Sequence, residues 1–135
     1  MPDLKRGVSY INRALLFSPY CIGLCLSEAA FKKELRRLKL PPEKWPSFLG
    51  SDKAGATTHV FESKDVVMVA MGSRRNCSML EIHGLLVHEA VHIWQAIRDS
   101  IGEKSPSAEF EAYSLQTISQ NLFEAYRELT RKCPT

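Results

Sequence analysis

Residues 88–92 read His-Glu-Ala-Val-His, a match to the pattern H-E-x-x-H. On a helix, positions four apart turn by about 400°, so His88 and His92 stack on one face and can share a metal ion. Glu89 is rotated by about 100° from His88 and points beside that ion, within reach of a water on it. The chemistry needs these residue types. Two neutral imidazole nitrogens hold Zn2+, and a carboxylate takes the proton of the water that the ion polarises. Composition alone produces the pattern in well under ~1% of chains this long. The commonplace alternative has both histidines bonded to nearby backbone or side chains.

A zinc hydrolase needs a third protein ligand and an open position. His59 lies upstream, and His83 sits about 140° round the helix from His88, facing elsewhere. Glu109 and Glu111 lie downstream, on the next helix. Ala108, Leu115, Ile118, Leu122 and Ala125 all fall within about 60° of Glu111, which places Glu111 on the inward stripe. Glu109 is about 160° away and should meet solvent. A carboxylate on a buried stripe is costly unless compensated, and a metal would compensate it. Glu111 is therefore the expected third ligand, with an ion pair to a lysine or arginine as the alternative.

The elements that must hold these residues follow from periodicity. Leu4, Val8, Ile11 and Leu15 recur at helical spacing, which predicts a first helix ended by Pro19. A second begins after Ser27 and runs to about Leu38, with Phe31, Leu35 and Leu38 as its apolar stripe. The stretch 43–56, with Pro46, Gly50 and Gly55, reads as a loop. Thr58–Ser63 and Val66–Met71 flank Lys64-Asp65 and predict a β-hairpin. The second of these has no polar residue and should be covered on both faces. Ser78-x-x-Glu81 is a capping box that opens the motif helix, which runs to about Ile101 before Gly102. Ile82, Leu86, Ile93 and Ile97 on one side, with Val87, Val91 and Trp94 on another, predict that this helix is buried nearly all round. Ser105-Pro106 starts a final helix, to about Arg131.

The chain has 135 residues and 15.3 kDa, of which 44% are hydrophobic and 24% charged. That is enough for one domain over 1–135 and excludes disordered, collagen-like and disulfide-dense classes. A net charge of +3 calls for neither a nucleic-acid nor a membrane partner. Lys32, Lys33, Arg36, Arg37 and Lys39 form a basic face on the second helix, whose ordinary meaning is solvation; a nucleic-acid footprint is the rarer one. Cys21, Cys25, Cys77 and Cys133 contain no C-x-x-C pair, so they read as reduced thiols of a cytoplasmic protein. The apolar run 14–26 is too short to span a bilayer, and its interruption by Ser18-Pro19, after a stretch that reads as an amphipathic helix, argues against a cleaved leader.

Taken together, His88-Glu89-x-x-His92 and, after eighteen intervening residues, Glu111-Ala112 resemble the gluzincin arrangement of zincin-like metallopeptidases. The resemblance covers roughly 58–126. It implies an α+β fold with a minimal zincin core, of the size found in small bacterial and phage-encoded proteins. That core has about four helices, with a small β-hairpin or sheet before the motif helix. It implies Zn2+ held by His88, His92 and Glu111, Glu89 as general base and acid, and a peptide or protein substrate. The substrate would lie along the open edge of one hairpin strand. The family's asparagine before the ligand glutamate is Phe110 here; of the candidate transition-state stabilisers, Tyr113 is rotated about 160° from Glu111, and Tyr126, nearer in phase, lies about four turns further along. The expected function is zinc-dependent peptide hydrolysis; the alternative is a non-catalytic metal-binding structural or regulatory protein, such as a virion component.

Overall fold

The computed structural model describes residues 7–11, 18–51, 54–72, 74 and 76–131. Its architecture follows from the strand with no polar residue. Val66–Met71 is buried at every position because strands lie on both its sides and helices on both its faces. Alternation divides it: Val66, Met68 and Ala70 face one core, and Val67, Val69 and Met71 face the other.

Val8–Tyr10 (β1), Cys21–Cys25 (β2), Ala56–Phe61 (β3) and Val66–Met71 (β4) form one mixed sheet in the order β1-β2-β4-β3. β1 pairs antiparallel with β2, with Val8 opposite Cys25, and β2 runs parallel to β4, with Cys21 opposite Val66. β3 returns antiparallel along β4, with Thr58 opposite Val69 and His59 opposite Met68. A single turn of 3-10 helix at Glu62–Lys64 joins them, and Asp65 takes the left-handed conformation at φ 52°. The hairpin is as expected, and among the described residues β3 has the open edge near the motif, since β4 is enclosed.

Glu28–Arg37 (α1) is capped by Ser27, whose hydroxyl accepts from the Ala30 amide at 3.1 Å. It lays Phe31 and Leu35 on the even-numbered face of β4. Met79–Ser100 (α2) and Ala108–Thr130 (α3) cover the opposite face. They run antiparallel: His83 meets Phe123 near one end, and Trp94 meets Phe110 near the other. Gly102, at φ 72°, takes the left-handed position that ends α2.

The class is α+β, with four strands and three α-helices among the described residues. One expectation fails. The segment read as a first helix contains β1 at Val8–Tyr10, while residues 1–6 and 12–17 lie outside the described set. Cys21–Cys25, within the apolar run 14–26, is a strand, and Cys21 and Cys25 share one of its faces by twofold alternation. At β1, hydrogen bonds to a neighbouring strand override a local apolar spacing. The final helix starts two residues later than read, with Ser107 as its cap.

Candidate functional site

The capping box forms as read: the Ser78 hydroxyl accepts from the Glu81 amide at 3.2 Å, and the Glu81 carboxylate reaches the Ser78 amide. It fixes the start of α2 and so the phase of every later side chain. Ile82, Leu86, Ala90, Ile93 and Ile97 point into the core. The helix is not buried all round, however. Val87 is 43% exposed, and Gly84, His88, His92 and Gln95 lie on an open flank. The two histidines therefore need no metal to offset burial; their arrangement is what signals one.

That arrangement is specific. His88 Nε2 and His92 Nε2 face each other at 3.2 Å, with ring centroids 4.9 Å apart. Two nitrogens bound to one tetrahedral zinc are separated by about 3.3 Å. His92 Nδ1–H donates to Gln95 Oε1 at 3.1 Å, a bond that leaves the Nε2 lone pair directed at His88. The imidazole pair thus fits a divalent, nitrogen-preferring ion.

Glu89 occupies a different environment. It is only 3% exposed and accepts a 2.5 Å hydrogen bond from Thr58 Oγ1. Thr58 can do this because its register partner is Val69, which puts its side chain on the α2 side of the sheet. Sequence reasoning did not single out Thr58. The signal was its parity in the hairpin, which becomes usable once the helix is known to cover that face.

Two adjoining grooves run between β3 and α2, of roughly 600 and 360 Å³, and His88 and Glu89 line both. Thr58, Val60 and His92 wall the smaller; Gly55, Arg74, Gly84 and Leu85 wall the larger. The motif therefore sits beside the open edge of β3.

Glu111 is not brought to the histidines. Its carboxylate accepts from Trp94 Nε1–H at 2.9 Å and lies 3.9 Å from Arg98, both through Oε2. Trp94 and Arg98 lie about a third of a turn round α2 from the histidine pair, on the flank away from Glu89. The inward stripe of α3 is otherwise as read, with Ile118, Leu122 and Ala125 buried and Glu109 exposed. Glu111 itself is half-exposed, its side chain 41% accessible. Among the described residues no three His, Cys, Asp or Glu side chains gather within reach of one ion.

The remaining histidines are engaged elsewhere. His59 packs between Phe31 and Phe61, donates from Nε2 to the Phe48 carbonyl at 2.8 Å, and has its pKa lowered chiefly by burial. His83 packs on Phe123. No protein-family model, curated protein or solved structure matches the chain.

Proposed function

We propose that the chain is a zincin-like, zinc-dependent metallopeptidase with a minimal gluzincin-type site. The observation that carries this reading is the imidazole pair at 3.2 Å beside a buried carboxylate, at the open edge of a strand. His88 and His92 hold the ion, and Glu111 is the proposed third ligand. To reach the ion, Glu111 would have to give up a long, half-exposed contact to Arg98, worth at most about 1 kcal/mol, and the 2.9 Å bond from the buried Trp94 Nε1–H, whose loss costs about 1–3 kcal/mol. Zn2+, when bound, supplies Lewis acidity to a water and to a peptide carbonyl.

The chain's own residues do the rest. Thr58 holds Glu89 with one oxygen engaged, and Glu89 takes the proton of the attacking water and returns it to the leaving amine. The edge of β3 offers backbone groups to an extended peptide, which fixes the scissile bond over the motif. Gln95 keeps His92 in the ligating tautomer.

The test begins with the purified protein. Metal analysis should find about one zinc per chain, lost in His88→Ala and His92→Ala. Glu89→Gln should keep the zinc and lose cleavage of a quenched-fluorescent peptide library, and Glu111→Gln should weaken zinc binding. Cleavage that survives Glu89→Gln sinks the proposal.

A second reading has its own support. Trp94 and Arg98 hold Glu111 away from the imidazole pair, which favours a metal-binding structural or regulatory protein without turnover. Zinc binding with no cleavage by the wild type, and no effect of Glu111→Gln on affinity, would select it.

A further inference from the structure

Arg74 follows β4 and lines the larger groove together with His88 and Glu89. It is only partly exposed, and its Nε is fully enclosed with no hydrogen-bond partner among the described residues. An unsatisfied buried N–H costs about 1–3 kcal/mol, more on a charged group, so such a group calls for an acceptor. The position is built rather than incidental. A Cβ at Gly55 would lie 2.5 Å from Arg74 Nη2 and 3.0 Å from Leu85 Cδ2, so the guanidinium nests against the start of β3 only because residue 55 has no side chain. Across the same groove a Cβ at Gly84 would touch nothing within 4 Å, which leaves room for a guest.

We infer that Arg74 reads a carboxylate of the bound peptide, so that the groove selects substrates with an acidic side chain or a free C-terminus placed beside the motif. The inference rests on the peptidase reading for the identity of the guest. A planar guanidinium pairs with a carboxylate through two parallel N–H···O bonds, and a carboxylate in the groove would bring the opposite charge to the guanidinium that lines it. Glu81 also lines the groove, but its carboxylate is committed to the Ser78 cap. Nothing among the described residues forms an ion pair with Arg74.

The experiment separates recognition from turnover. Fluorescein-labelled alanine-rich hexapeptides with a free C-terminus, an amidated C-terminus, or an amidated terminus with an internal Glu are titrated against the full chain carrying Glu89→Gln, read by anisotropy. A carboxylate-bearing peptide should bind on the order of tenfold to hundredfold more tightly than the fully amidated one. Which of the two acidic peptides is preferred identifies the source of the carboxylate. Arg74→Gln should abolish the preference. Gly55→Ala should reduce it with Arg74 still present, by displacing the guanidinium. Equal binding of all peptides to the Glu89→Gln chain, or a preference that survives in a folded Arg74→Gln chain, overturns the inference. Carboxylate preference without cleavage by the wild type would keep Arg74 as a carboxylate reader and remove the peptidase reading; cleavage indifferent to the carboxylate would do the reverse.

Discussion

Gln95 and Thr58 each take one hydrogen-bonding position on a reactive side chain and leave the other for chemistry. If the proposed zinc site forms, Gln95→Ala should lower zinc affinity by about 10- to 100-fold with the fold intact, measured by chelator competition and circular dichroism. Two buried titratable groups set the pH range of stability. The Cys25 thiol is pushed up from 9.0 to about 12, first by burial and then by the Glu34 carboxylate. The unfolded chain therefore loses that proton first, and stability falls as pH rises from 9.0 toward about 12. His59 shifts the other way, downward from 6.5 because burial disfavours its cation. Unfolding then takes up a proton, and stability falls as pH drops below 6.5. Urea titrations across pH should show a plateau between those limits, and Cys25 should resist alkylation at pH 8 until the chain unfolds.

At the scale of elements, caps and turns carry the precision of the site. Ser78 sets the phase of α2, so Ser78→Ala should cost about 1 kcal/mol in chemical denaturation. Gly102→Ala forces a side chain into the left-handed region, at about 1–2 kcal/mol. The basic residues of α1 are exposed and largely engaged: Lys32 pairs with Glu28, Arg37 with Glu34, and Arg36 lies over the Trp45 ring. Trp45 in turn donates to the Leu40 carbonyl and anchors the loop after α1. The three helices and the hairpin were legible because their signals are local: cap residues, an apolar stripe, a turn between β-branched runs. β1 and β2 were not, because their pairing partners lie outside any local window; β2 is stabilised by β4, more than forty residues away.

Across the whole molecule, β4 separates two cores. Leu35 and Leu86 are each fully buried on opposite faces of the sheet. Each Leu→Ala change should cost about 2–5 kcal/mol, and the double variant should equal the sum within about 0.5 kcal/mol, because no neighbour is shared. Coupling well beyond that would show that the sheet transmits strain between the layers. Among the described residues no helix is long and apolar enough to cross a membrane.

By itself the sequence determined the spacing of His88, Glu89 and His92, the capped helix that carries them, and the hairpin that precedes it. Each of these depends on residues within a few positions of one another. Tertiary structure decided that the histidine flank is open, that Thr58 reaches Glu89, that Arg74 nests on Gly55, and that Glu111 is held by Trp94 and Arg98. A helical phase gives the direction of a side chain around its own axis. Which neighbour waits in that direction depends on how separate elements pack, and no local pattern contains that information.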